Sequence, residues 1–497
     1  MLDYATSLLA SSGFLLVRTS REQILAKMAL LATMNRTLDP LFRPKAVALV
    51  GASANPTKIG NIALRNLMSR RFKFFPVNPN ETEIMGVKCY RSIGEIPDEI
   101  DLALIVLPAE LSIGALKESV REGVKFVVVT ASGFGESGIN GKSLEDELRA
   151  SVAGTGTRLL GPNSMGVFVP DWGLDTCFIP KERSKRPRRG GLAIVSQSGA
   201  VSVSSLEKAE AAGIGVSICI GLGNRVDINE NEVLQFLSDD ERTKCIAMYL
   251  ESLSDGLGFV RLCRGIVPRK PVVALMAGRT QSGRAAAGSH TGSMAASSES
   301  LVGGVLSQCG VVQAFDEEEL VDYAKCLSMV DHINGERVCV VASAGGYGVI
   351  ASDLIESREH GVGLRMARLS DTTASALRQV VPAYSSVCNP VDLTASVTDD
   401  MYDSVLEILD ADEGVDVILM SLELEPPNVT ENLVDVAADH SSEGRVPIVV
   451  AAFGGSRSGW LMRRLQNSGV LAYPTISRAA KAIGALSRRG QVLRRLK

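Results

Sequence analysis

The chain has 497 residues, 45% of them apolar and 22% charged, with a formal net charge of −4. That length exceeds what one hydrophobic core organises and sets an expectation of about two to four domains. The near-even charge argues against a nucleic-acid surface or an acidic disordered chain, and no apolar run approaches the roughly 20 residues of a membrane helix.

Residues 1–37 read as an N-terminal extension, with apolar patches at 7–17 and 24–34 split by Arg18, Arg21 and Glu22. Asp3 precedes the first patch, the wrong charge order for a secretory signal; an organellar presequence stays open, and no chemistry is assigned here. The nine cysteines are scattered, with neither a CxxC pair nor a Cys/His metal spacing. They are expected to be reduced, mostly buried thiols of a cytoplasmic protein, and no metal site is expected.

A first α/β unit is expected from 38 to 172. An apolar strand at 45–50 runs into Gly51, Ala52 and Ser53, and Lys58, Ile59 and Gly60 open a helix. Strand, glycine turn and helix start together offer N–H groups to a phosphate. The dinucleotide fingerprint GxGxxG is absent, and the next strand (73–77) ends in Val77, Asn78 and Pro79, where an NAD site would hold a carboxylate. A nucleotide other than NAD is expected. Further strands lead into Val106, Leu107 and Pro108, into Ala131 and Ser132, and into Asn163 and Ser164, all on one sheet edge.

The basic stretch 181–191 reads as a solvated linker. A second unit, 190–332, opens with a strand at 192–195, the turn Ser196, Gln197, Ser198, Gly199, Ala200 and a helix to 212. A strand at 246–250 delivers Glu251, and one at 271–276 leads into the stretch 279–295, which sets His290, one of four histidines, among small residues. His290 is expected on a loop beyond the strand end, where open α/β sheets bind ligands. A plain Ser/Gly/Ala surface loop explains the same composition, and a surface ion pair explains Glu251. A third unit, 335–497, repeats the pattern with a strand at 337–342, a turn containing Gly345 and Gly346, and strands near 363–369, 415–422 and 446–453. The helix starts at 196–200 and 343–348 could face one anion, each carrying about half a positive charge.

These pieces, in one order, carry a resemblance: Val-Gly-Ala-Ser, Pro-Val-Asn-Pro, Gly-Pro-Asn-Ser-Met-Gly, Val-Ser-Gln-Ser-Gly-Ala, Gly-Leu-Gly-Asn, Tyr-Leu-Glu, Gly-Ser-His-Thr-Gly-Ser, Ala-Gly-Gly and Asn-Pro-Val-Asp-Leu. From about residue 38 onward the chain resembles the nucleoside-diphosphate-forming acyl-CoA synthetases, relatives of the succinyl-CoA synthetase α chain. The resemblance implies an α/β fold: an N-terminal Rossmann-type CoA-binding domain followed by two flavodoxin-like, succinyl-CoA synthetase-like α/β domains. It implies that Gly51, Ala52, Ser53, Lys58, Ile59 and Gly60 hold the CoA diphosphate. Val77, Asn78, Pro79, Val106, Leu107 and Pro108 would line the adenosine, and Ala131, Ser132, Asn163 and Ser164 the pantetheine. It implies phosphorylation of His290, orientation by Glu251, and phosphate cradles at 196–200 and at Gly345 and Gly346.

Ser343 and Tyr347 stand where the family usually has Asn and Pro. The family's ATP-grasp module finds no counterpart here, so ATP/ADP and Mg are expected through a separate ATP-grasp β subunit. The other substrates are coenzyme A and a small carboxylic acid that the sequence does not name. A CoA-binding regulator without catalysis, and a phosphate-dependent acyl or carbamoyl transferase, are the alternatives.

Overall fold

The computed structural model describes residues 38–68, 71–291, 299–453 and 455–496, and within them the side chains of 289–302, 456 and 458 are left aside. The expected extension at 1–37 therefore lies outside the described residues.

The first sheet is parallel, in the order β2 (Lys73–Val77), β1 (Ala46–Val50), β3 (Leu102–Ile105), β4 (Phe126–Val129), β5 (Arg158–Leu160). Val47 sits between Phe74 and Leu102, and every residue of β1 is buried. Helices α1 (Asp39–Phe42), α2 (Ile59–Leu67), α3 (Ala109–Arg121) and α4 (Ile139–Val152) belong to this unit. A continuous apolar run is what a strand covered on both faces requires.

The second sheet takes in two short strands that follow the first unit in the chain, β6 (Gly166–Val169) and β7 (Leu174–Asp175). Its remaining strands are β8 (Arg189–Ser196), β9 (Val216–Gly221), β10 (Cys245–Leu250), β11 (Val272–Met276) and β12 (Val312–Ala314), in the order β12-β11-β10-β8-β9-β6-β7. β6 runs antiparallel to β9, so the connection between the units is built into the second sheet. Most of the basic linker is exposed, as a solvated stretch would be, but Arg186 is nearly buried and pairs with the buried Asp175. Helices α5 (Gly199–Ala211), α6 (Glu230–Asp239), α7 (Gly256–Ile266), α8 (Gln281–Thr291), α9 (Glu299–Cys309) and α10 (Glu317–Met329) complete the unit.

The third sheet runs β14 (Arg365–Met366), β13 (Arg337–Ala342), β16 (Val417–Glu423), β17 (Ile448–Phe453), β18 (Ala472–Tyr473), with β15 (Val391–Asp392) also on β13. Its helices are α11 (Gly345–Glu356), α12 (Asp371–Val380), α13 (Asp399–Asp410), α14 (Leu433–Glu443), α15 (Ser458–Asn467) and α16 (Ile476–Leu496).

Neighbouring units share cores. One apolar cluster joins the first and second, with Phe42 stacked on Phe236 at 4.8 Å. Another joins the second and third through α10 and α16, where Arg478 clamps the buried Asp322 with 2.7 and 2.8 Å hydrogen bonds. Eight of the nine cysteines are buried, and Cys388 is exposed. Among the described residues no helix is long and apolar enough to cross a membrane, and no cluster of side chains has metal-ligand character.

Candidate active site

The glycine turn after β1 is built by close approach. Gly51 has φ +91°, and a Cβ there would meet the Val106 carbonyl at 2.8 Å. A Cβ on Gly60 would lie 2.0 Å from the Gly51 carbonyl, so the first turn of α2 presses directly on the loop. Asn78 donates to the Ala52 carbonyl at 2.7 Å, and the buried Asn61 donates to that of Ser53 at 2.8 Å. No side chain caps α2, and Lys58 and Ile59 at its start are exposed. The result is a rigid concave backbone below an open helix start, a setting suited to a diphosphate.

Val77, Asn78 and Pro79, then Val106, Leu107 and Pro108, then Ala131 and Ser132, follow the carboxyl ends of β2, β3 and β4. They share one edge with residues 51–60. Asn163, at φ +56°, is tied to it by its N–H on the Ala131 carbonyl at 2.8 Å. Ser164 is different. It is buried, donates its hydroxyl to the Gly221 carbonyl and accepts from the Gly166 N–H at 2.9 Å, so its side chain joins the two sheets.

The loop after β9 closes over this edge. A Cβ on Gly223 would lie 2.1 Å from the Pro162 carbonyl. Asn224 Nδ2 then donates to Glu136 Oε2 at 2.7 Å and Glu145 Oε2 at 2.9 Å. Glu136 also accepts from the N–H groups of Gly133 and Phe134 at 2.6 and 3.1 Å. Burial alone would raise the Glu136 carboxyl, but Asn224 and these backbone donors outweigh it and hold it below its ordinary value. Sequence reading passed over Glu136 and Glu145; their only signal is Asn224 within Gly-Leu-Gly-Asn.

In the second unit Glu251 follows β10 and is 5% exposed. The Tyr249 hydroxyl donates to its carboxylate at 3.2 Å. Burial and the neighbouring carboxylate push the Tyr249 phenol upward, so it stays protonated and remains a donor. Gln197 is almost wholly buried and spends both ends of its amide here. Its oxygen accepts from the Glu251 and Ser252 N–H groups at 2.6 and 3.2 Å, and its nitrogen donates to the Ser252 carbonyl at 2.7 Å. Ser196 is likewise internal, donating to the Ser198 carbonyl at 2.8 Å. Ser198 caps α5 by accepting from the Val201 N–H at 3.4 Å, which leaves Gly199 and Ala200 at the open helix end.

The expectation of a loop around His290 is corrected: its backbone is in the last turn of α8. Thr280 starts that helix by accepting from the Gly283 N–H at 3.1 Å, and three successive alanines, the best helix formers, outweigh the glycines on either side. The His290 side chain and residues 292–298 lie outside the described residues, and the expected pairing with Glu251 lies there too. The course of the backbone is nevertheless informative. α8 rests against the turn Gly135–Ser137 of the first unit, beside the loop that holds Ala131 and Ser132. At its start it shares with Tyr249, Arg279 and Phe315 a cavity of about 340 Å³.

In the third unit nothing crowds Gly346, whereas a Cβ on Gly345 would meet Asp392 Oδ2 at 2.8 Å. A carboxylate thus stands beside the start of α11. Ser343 is buried with its hydroxyl beside the Tyr402 and Glu423 side chains, and Tyr347 stacks on Phe453 at 4.5 Å.

Three family models match: a CoA binding domain over residues 45–170, a succinyl-CoA ligase-like flavodoxin domain over 189–327, and a ligase-CoA domain over 338–495. The α subunit of the ADP-forming acetate–CoA ligase I of Pyrococcus furiosus is 36% identical over 90% of this chain and 97% of its own. The ADP-forming acetate–CoA ligase I of Archaeoglobus fulgidus is 34% identical over 92% of this chain, which spans 64% of that longer protein. A chain of the dinucleotide-forming acetyl-coenzyme A synthetase 1 of Ca. Korarchaeum cryptofilum, solved with phosphate and ADP, superposes with a TM-score of 0.84 at 32% identity, covering 92% of this chain and 98% of that one. With a CoA-binding Rossmann unit followed by two succinyl-CoA ligase-like units in the same order, the chain belongs to the ADP-forming acyl-CoA synthetases, a family of acid–thiol ligases.

Proposed function

We propose that this chain is the α-type subunit of an ADP-forming acyl-CoA synthetase that works through a phosphohistidine at His290, with ATP and Mg handled by a separate ATP-grasp subunit. CoA would lie along the first sheet edge, its diphosphate on Gly51, Ala52, Ser53, Lys58, Ile59 and Gly60. In the acyl-CoA-consuming direction, phosphate attacks the thioester carbonyl, CoA leaves as the thiol, and an acyl phosphate forms. A neutral His290 nitrogen then attacks phosphorus, releasing the carboxylic acid and leaving phosphohistidine. The phosphoryl group passes to ADP on the partner, giving ATP. The reverse sequence makes acyl-CoA from acid, CoA and ATP.

The observation that carries this reading is Glu251: a buried carboxylate at a strand end, fixed by Gln197 and Tyr249. A carboxylate on the second imidazole N–H selects the nucleophilic tautomer and raises the basicity of the ring. Acetate, the acid in the names of the two ligases above, is the first to test. One observation favours the alternative of a CoA-binding protein without turnover: Asp392 beside the start of α11 disfavours a second anion there.

The test is radiolabelled phosphate with acetyl-CoA. Wild type should gain an acid-labile, base-stable label, because protonation of the ring weakens the P–N bond. His290→Ala should gain none, and Glu251→Gln should label about 10- to 100-fold more slowly. A label that persists in His290→Ala would overturn the assignment. No label in wild type that still binds CoA would favour the binding-protein reading.

A further inference from the structure

A second charged cavity lies on the opposite, amino-terminal edge of the second and third sheets, between those units. Its volume is about 220 Å³. Arg188 lines it just before β8, Lys244 just before β10, Lys325 and Met329 on one face of α10, and Gln466 at the end of α15. No carboxylate lines it.

Two of these groups are buried with hydrogen-bonding capacity unspent. Lys325 is 2% exposed; its amine donates to the Ala472 carbonyl at 2.7 Å and lies 5.0 Å from the Tyr473 ring. An ammonium has three N–H donors, so this leaves it under-used. Burial holds the amine down at about 8 and outweighs the pull of the nearby Asp322 carboxylate, whose two oxygens are already clamped by Arg478. Gln466 is 8% exposed, and its side-chain amide has no hydrogen-bond partner among the described residues.

Three helices, α5, α10 and α15, end at this cavity, and their carbonyl ends supply part of the balancing negative charge. Arg188 serves that purpose, donating to the Gly213 carbonyl at 3.4 Å. Helix ends of about half a charge each offset only about half of three cations. Nor does end-capping explain the other two. Lys325 donates to a strand carbonyl, and Lys244 has no ion pair or side-chain hydrogen bond among the described residues.

We propose that this cavity binds a small organic anion, a carboxylate or phosphate group on an apolar stem. Arg188 and Lys244 hold the charged group at the mouth, Lys325 and the Gln466 amide reach it from within, and Ile214, Met329 and Val470 cover the stem. The site is remote from the CoA edge and does not depend on the ligase reading. It is nonetheless linked to that region, because α10 also contributes Glu317, at its other end, to the cavity beside Tyr249.

Calorimetric titration of the full chain tests this, using phenyl phosphate, phenylacetate and the neutral benzyl alcohol as probes. At least one anion should bind, benzyl alcohol should not, and the better anion identifies the head group. His290→Ala should bind it as wild type does. The exposed pair Arg188→Ala/Lys244→Ala should weaken it about tenfold or more, equivalent to about 1.4 kcal/mol, and Lys325→Met should do the same. Absence of binding by either anion overturns the proposal, as does equal binding of benzyl alcohol. Full affinity in the Arg188→Ala/Lys244→Ala chain, which alters only surface positions, places the ligand elsewhere and overturns it too.

Discussion

Asn224 ties two carboxylates that lie 88 and 79 residues away in the chain, and this one amide fastens the second unit to the proposed CoA edge of the first. Hydrogen bonds to a charged group are worth about 1.5–3 kcal/mol each. Asn224→Leu should therefore lower stability near neutrality and change its pH dependence. Glu136 has a depressed folded-state value, so its contribution is complete above the ordinary glutamate pKa of about 4.3 and is lost as pH falls through the lower folded value. Without Asn224 that value moves back up, and the loss of melting temperature on acidification should become shallower. A difference between wild type and variant that stays constant between about pH 3 and 6 would contradict this account. The histidines divide in a similar way. His440 pairs with Asp403 at 2.8 Å and His332 with Asp331 at 2.9 Å, both near the surface, whereas His290 rides on a helix between two units.

At the scale of elements, the apolar strands at 46–50, 126–129 and 272–276 were legible because burial on both faces leaves unbroken Val/Leu/Ile runs. β9 was not: Val-Ser-Ile-Cys-Ile-Gly is wholly buried, but Ser217 and Gly221 break its apolar run, and the serine is satisfied only by Thr243 at 2.9 Å. β12 and β18 are too short to show a period. The glycine turns at 51 and 345 announced themselves, while the roles of Gln197 and Ser164 as internal clasps did not, since both depend on partners more than 50 residues distant. The α8 helix was hidden by glycines and serines that read as a loop. The open position at Gly346 gives an element-level prediction. Gly346→Val projects into empty space at the start of α11, so it should leave CoA affinity and melting temperature near wild type while suppressing phosphohistidine formation. Labelling at the wild-type rate would remove α11 from the phosphate site.

Across the whole molecule the three sheets are joined by shared cores, so the units should not melt independently. Leu486 is fully buried on α16, in the cluster that also holds Leu192 and Val216 of the second unit and Val338 and Leu419 of the third. Leu486→Ala should cost about 2–5 kcal/mol and shift one calorimetric transition spanning both units. Two transitions, with only the third unit's displaced, would show that the shared core does not couple them. The burial of eight thiols and the exposure of Cys388 have a practical consequence. The native chain should take up a single equivalent of a maleimide dye, and do so without prior mutagenesis. Cys388 precedes Asn389 and Pro390, and Pro390 packs against Gly348 in the first turn of α11, so the fluorophore would stand beside the proposed second phosphate cradle. Its emission would then be an optical gauge of whatever docks there, the proposed ATP-grasp partner first of all.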